Sequence, residues 1–176
     1  NNMKKTAAAI AAACLLLGAI AHAAPTDTAH RDADTRLRAI YESEWQWRLQ
    51  QRLENEEDDT NGIRPDLPKV DAATQGARRA HWENVLRQLD GIAEGDLSEA
   101  ERINHAVYRA QVAALVANIA FREYEKPLNA DSSFWFNMTY EARKPFRTQQ
   151  DYTHYVAQLN DVPRYFREQV ANMRAG

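Results

Sequence analysis

The sequence predicts an all-α fold, an irregular bundle of about five helices, and three observations carry that expectation. Apolar residues recur every three or four positions over long stretches, the spacing of one helix face. Capping residues (Asp71, Ser98, Thr148) stand where those stretches begin. Glycine and proline (Gly62, Pro65, Pro68, Gly91, Gly95, Pro127) fall between them, as breakers do.

The first helix is expected from Asp32 to Glu54. Leu37, Tyr41, Trp45, Leu49 and Leu53 repeat every four residues along roughly 35 Å, Ile40 widens the stripe, and Trp47 lies off it. Glu54 to Val70, with its acidic run, Asn61-Gly62, Pro65 and Pro68, reads as a long surface connection. Asp71 caps a second helix reaching about Ile92, with Ala73, Ala77, Ala80, Leu86 and Leu89 inward and Trp82 and Val85 beside them. Ser98-Glu99-Ala100-Glu101 is a capping box opening the longest helix, to about Glu125. Ile103, Val107, Ala110, Ala114 and Phe121 form one face of it, and Val112, Leu115, Val116 and Ile119 a second, so its middle is expected to be buried nearly all round. Lys126-Pro127 stops it. In the stretch from Leu128 to Phe146, Phe134-Trp135-Phe136 fits a short strand or an aromatic turn equally well. Thr148 to Asp151 caps a further helix with Tyr152, Tyr155, Val156 and Leu159 inward, and Asp161 with Pro163 is expected to start a last one carrying Phe166, Val170 and Met173.

The N-terminus reads as an export leader: Lys4 and Lys5, an uncharged run from Ala7 to Ala21, then Ala21-His22-Ala23 as a cleavage site. The division that follows is a signal peptide at 1–23, a flexible mature N-terminus at 24–35, and one helical region at 36–176. The fifteen-residue run is short of the roughly twenty needed to span a bilayer. Cys14 lies mid-run, where lipidation would strand an apolar tail. Removing 1–23 from the 176 residues leaves 153; Lys4 and Lys5 go, so 20 basic residues face 25 acidic ones, a net charge of −5. That balance argues against nucleic acid or an anionic membrane as partner. No cysteine remains for a disulfide or thiolate metal site. The expected location is periplasmic or secreted.

No catalytic, cofactor-binding or metal-ligating residue is assigned. His30, His81, His105 and His154 stand neither three nor four apart, and no His-Glu dipeptide occurs. Glu57 to Gly62 has the look of a calcium loop, but its twelfth position is Pro68, where a bidentate glutamate is needed. Ser43, Ser98, Ser132 and Ser133 lie outside any Gly-x-Ser-x-Gly elbow, and there is no glycine-rich phosphate loop. Glu42 with Glu44, and Glu99 with Glu101, read as ordinary helix-surface residues at these spacings, and a carboxylate-only hydrolase would need a buried Glu or Asp pair facing a pocket. Trp45, Trp82 and Trp135 suit a core better than a peptide groove, and Asn137-Met138-Thr139 fits a glycosylation sequon that the bacterial look of the leader discounts.

Several blocks, in order, resemble a known family. Tyr41-Glu42-Ser43-Glu44-Trp45-Gln46-Trp47-Arg48, Phe121-Arg122-Glu123-Tyr124-Glu125-Lys126-Pro127-Leu128-Asn129, Pro145-Phe146-Arg147-Thr148, Asp151-Tyr152, Leu159 and Pro163-Arg164-Tyr165-Phe166 are similar to a bacterial exported family known as domain of unknown function 885. The resemblance implies a larger, mostly helical, zincin-like metallopeptidase with a His/Glu zinc site in its C-terminal half. No residue here matches a ligand of that site, so none is carried over. The expectation is a non-catalytic N-terminal part, packing on a C-terminal catalytic half of the same protein, with zinc and peptides belonging to the full-length parent. The alternative is a self-contained periplasmic helical binding or chaperone-like protein.

Overall fold

The structure, a computed structural model, describes residues 25–51, 63–128, 133–135, 138 and 143–176, and the side chains from residue 28 onward. The leader at 1–23, Leu53, the calcium-like loop, Phe136 and the sequon's Asn137 and Thr139 lie outside the described residues. The fold is all-α. Four α-helices are described: α1 (Pro25–Gln51), α2 (Ala72–Asp90), α3 (Glu99–Ala120) and α4 (Gln149–Ala175). Short 3₁₀ turns at Glu94–Asp96 and Glu123–Glu125 follow α2 and α3.

Helix α1 starts at Pro25, well before Asp32. Proline suits a first helical turn because its missing N–H is unsatisfied there anyway. The early turns also have something to hold: Ala33 is buried, the His30 ring donates to the Asp96 carbonyl at 2.9 Å, and Asp34 accepts from the Ser98 amide at 3.0 Å. The every-four stripe is corrected as well. At about 100° per residue each step of four overshoots a turn by about 40°, so a long i+4 row winds off its face. Trp45 accordingly points outward, while the straight row Ala33, Leu37, Ile40 and Glu44 turns inward and Trp47 packs against the core.

Helix α2 begins as expected: the Asp71 side chain accepts from the Thr74 amide. Its inward face is Gln75, Arg78, Trp82, Val85 and Leu89, and the alanines at 73, 77 and 80 are exposed. The large side chains, which remove more apolar area from water, set the rotation of the helix. The capping box before α3 is half made. Ser98 accepts from the Glu101 amide at 3.4 Å, but Asp34 of α1 supplies the acceptor for the Ser98 amide, which leaves the Glu101 carboxylate to other partners. Helix α3 ends at Ala120 rather than near Glu125, where Arg122 turns left-handed (φ 57°) and Glu125 pairs with it. Nor is its middle buried all round. Val112 is fully buried and Leu115, Val116 and Ile119 pack on the core, yet Ile103, Val107, Ala110, Ala114 and Phe121 are exposed.

Ala33, Leu37, Trp82, Val85, Leu89, Ile92, Leu97 and Val112 form the core, so α1, α2 and α3 close around it. Beyond it, Leu128 and Ser133 make an isolated antiparallel bridge, and Phe134 meets Tyr165 and Phe166 edge-on. Helix α4 opens with a complete Thr148/Asp151 capping box and continues unbroken through Pro163, so the expected last two helices are one. Its buried face is Gln158, Tyr165, Gln169 and Asn172; Tyr152, Val156 and Leu159, expected inward, are exposed. The stretch from Ile63 to Val70 is not a solvated connection either: Ile63 and Leu67 are buried and its backbone is bound to α4.

Candidate functional site

The most unusual chemistry lies where α1, α2 and α3 meet. A glutamate at position 44 falls on the buried row of α1, seven residues after Leu37, and is only 2% exposed. A carboxylate in such a place is tolerable only when donors surround it. Glu44 has three. Its Oε1 accepts from Arg48 Nε at 2.6 Å and from Trp82 Nε1 at 2.7 Å, and its Oε2 accepts from the Tyr108 hydroxyl at 2.8 Å. Each helix contributes: α1 the acid and the arginine, α2 the indole, α3 the phenol. Burial, and then the neighbouring Glu44 carboxylate, push the Tyr108 phenol far above its ordinary range, so it stays a donor.

A second carboxylate sits beside the first. Glu101 Oε1 accepts from Arg38 Nε and Nη2 at 3.1 and 3.0 Å; its Oε2 accepts from the Tyr41 hydroxyl at 3.1 Å and Asn104 Nδ2 at 3.0 Å. The Asn104 hydrogen bond, with those from Arg38 and Tyr41, holds this carboxyl below the usual glutamate range against its burial. Tyr41 and Tyr108 meet edge to face at 5.5 Å, joining the two clusters into one polar seam. At its end Trp47 stacks flat on His81 (3.7 Å, 11°) and edge-on against Trp82. Burial pushes the His81 ring below the ordinary histidine range, with Glu44 opposing it, and among the described residues its Nε2 has no hydrogen-bond partner.

The seam is a pair of buried glutamates, the feature a carboxylate hydrolase would need, but its geometry does different work. Glu44 accepts two protein donors at Oε1 and one at Oε2 and is closed from solvent. The two carboxyl groups tie three helices together through hydrogen bonds from Arg48, Trp82, Tyr108, Arg38, Tyr41 and Asn104.

A second polar row runs along α4 at 154, 161, 164, 168 and 172 and reads the backbone of residues 63–70. The His154 ring donates to the Ile63 carbonyl, Asp161 accepts from the Leu67 amide while Arg164 donates to its carbonyl, and Glu168 accepts from the Val70 amide while Asn172 donates to its carbonyl. Arg164 also forks between Asp161 and Glu168, whose hydrogen bonds raise its pKa. Arg78, buried on α2, donates to the Lys69 carbonyl at 3.0 Å and the Gln51 carbonyl at 3.5 Å, which fastens the same segment to α2 as well.

Zinc needs three protein donors in one place. Among the described residues no three His, Cys, Asp or Glu side chains gather into such a group. The His30, His105 and His154 rings donate to backbone carbonyls at Asp96, Leu89 and Ile63, and His81 lies under Trp47. The donor set of the described residues does not suit zinc. Also among the described residues, no helix is long and apolar enough to cross a membrane.

The sequence did not single out Glu44, Tyr108 or Glu101 as a cluster. A signal for Glu44 was present: an acid at i+7 and i+11 from the apolar Leu37 and Ala33. Comparison with known proteins places residues 56–176, more than half of the chain, within a family described as bacterial protein of unknown function (DUF885). The match begins after the Tyr41–Arg48 block and includes the later blocks. No curated protein and no solved structure matches.

Proposed function

The chain belongs to the bacterial DUF885 family of unknown function, and from that premise we propose that it is the helical, non-catalytic N-terminal part of an exported, zincin-like zinc metallopeptidase. It packs on the catalytic half of the same protein and helps to wall the channel that takes the peptide. The leader pattern of residues 1–23 directs the protein to the periplasm or beyond. Zinc belongs to the other half.

The observation that supports this reading is the open face of α4. Tyr152, Val156 and Leu159 follow the i, i+4, i+7 spacing of one helix face, and all three stand at least half exposed. Burying a side chain of this kind fully is worth about 1.5–3 kcal/mol. Covering three that are half open therefore offers a docking partner several kcal/mol. The polar seam fits the same role, because it stiffens a scaffold without presenting a reactive group.

The test has two arms. The purified chain is expected to bind no stoichiometric zinc and to leave peptides intact, and the natural gene is expected to continue in frame past codon 176 into a His-Glu motif. Co-expression with that continuation should yield a peptidase that weakens when Val156→Asp is introduced. Stoichiometric zinc with peptide cleavage by the chain alone would overturn the proposal. A gene that stops at codon 176, with a product that captures unfolded peptides, would point instead to a self-contained periplasmic binding or chaperone-like protein.

A further inference from the structure

The buried residues of α4 are Gln158, Tyr165, Gln169 and Asn172, none of them aliphatic. A helix that had only to pack would bury an apolar stripe there. This side of α4 instead addresses a main chain, and it does so by a repeating unit. Asp161 accepts from the Leu67 amide and Arg164 donates to the Leu67 carbonyl, at 2.9 and 2.8 Å. Glu168 accepts from the Val70 amide and Asn172 donates to the Val70 carbonyl, at 2.9 and 2.8 Å again. The two acceptors stand seven residues apart, about 10 Å along a helix. Three residues reach about 10 Å only when extended, so the chain from Leu67 to Val70 runs extended along α4. His154, seven residues before Asp161, continues the row by donating to the Ile63 carbonyl.

These hydrogen bonds go to main-chain groups, which every peptide carries. Of the strap's side chains, Ile63 and Leu67 are buried, at 3% and 7% exposed, while Pro65, Asp66 and Lys69 are exposed. The strap also leaves part of its surroundings unused. Arg78 of α2 is buried and reaches the Lys69 carbonyl through Nη2, but among the described residues its Nε has no hydrogen-bond partner. A buried donor without an acceptor is costly, so the strap is not the best ligand this place can hold.

We propose that this side of α4, closed by Arg78 of α2, is a binding site for a peptide segment, extended like residues 67–70 and carrying apolar residues four apart. Residues 63–70 are its resident occupant, which an incoming peptide replaces. The site needs neither zinc nor a catalytic half, so it stands or falls independently of the role assigned above.

The full chain tests it, with residues 63–70 supplied as a free peptide carrying a fluorescent label. Tethering gives the strap an effective concentration in roughly the millimolar range, so the parent chain should bind the free peptide only weakly. Ile63→Asp with Leu67→Asp removes both anchors from the tethered copy and should tighten peptide binding at least tenfold by fluorescence anisotropy. Arg164→Ala in that background should weaken it at least tenfold again, and so should N-methylation of the peptide at its Leu67 and Val70 nitrogens. Alanine at the peptide's exposed positions, Pro65, Asp66 and Lys69, should change the affinity less than threefold. Should the double variant not fold, Leu67→Ala gives a milder opening, and saturating peptide should raise its melting temperature by about 3 °C or more. An opened chain that ignores the peptide, binding that N-methylation leaves untouched, or a Leu67→Ala chain whose melting temperature the peptide does not move would each overturn the proposal.

Discussion

Two replacements at Glu44 separate the carboxylate's hydrogen bonds from its charge. In Glu44→Ala the Trp82 indole and the Tyr108 hydroxyl lose a buried acceptor, and the Arg48 guanidinium loses its pair. A buried donor left unsatisfied costs about 1–3 kcal/mol, and breaking a buried ion pair from one side costs about 3–5 kcal/mol. These terms share one group and do not add, so the expected loss is about 4–5 kcal/mol, close to the ~5 kcal/mol at which small domains become marginal. Glu44→Gln behaves differently because the donors are divided unequally: two reach Oε1 and one reaches Oε2. An amide oxygen placed at the Oε1 position keeps both of its donors. The amide nitrogen then faces Tyr108, whose hydroxyl can reverse and accept. Every hydrogen bond survives and only charge assistance is lost, for about 1–2 kcal/mol. Urea unfolding followed by circular dichroism and tryptophan fluorescence measures both. A Gln variant as damaged as the Ala variant would refute this reasoning, and so would an Ala variant within about 1 kcal/mol of the parent chain.

Acid should act on the fold in two stages. Burial holds His81 below the ordinary histidine range, so below about pH 6.5 the unfolded chain binds more protons and stability falls as the medium is acidified. His81→Phe, which keeps an aromatic ring against Trp47, should flatten this stage in urea midpoints taken from pH 7.5 downward. The later fall, below about pH 4, should remain. It belongs to Glu101 and Asp71, whose carboxyls are held low chiefly by hydrogen bonds from Asn104 and Thr74. Arg164→Ala removes the donor to the Leu67 carbonyl and the fork between Asp161 and Glu168. Hydrogen exchange should then speed up at least tenfold at the Leu67 and Val70 amides, with α2 unaffected; a uniform change across the chain would contradict the account. Pro163 interrupts the α4 ladder, and a proline inside a helix costs about 3 kcal/mol relative to alanine. Pro163→Ala should raise stability by about 1–3 kcal/mol in the same urea experiment, and a loss would mean the ring is needed where it stands.

What the sequence revealed, and what it hid, divides along a physical line. The starts of α2 and α4 were legible because capping is local: Asp71 with Thr74 and Thr148 with Asp151 each settle a start within three residues. Helix class was legible because spacing repeats. The facing of each helix was not, because rotation is decided by what lies across from it. The local pattern puts Trp45 on the stripe and Trp47 off it, the reverse of what is found; Trp47 goes inward because His81 and Trp82 of α2 offer it two rings. The unbroken course of α4 through Pro163 was hidden for the same reason. Asp161, Arg164 and Glu168 around the proline are held by the backbone of residues 67–70, almost a hundred positions away.

The polar seam is the extreme case of this division. Glu44, Trp82 and Tyr108 come from three helices, and each alone has an ordinary explanation: a solvated acid, a core indole, a surface phenol. An acid on an apolar helix row signals that donors must arrive from elsewhere, but it does not name them. Once α3 packs on α2, the phenol at 108 and the indole at 82 are fixed on either side of position 44, and a carboxylate satisfies both where an apolar side chain would satisfy neither. The inner row of α3 is therefore specified by hydrogen bonding, which tolerates only one register.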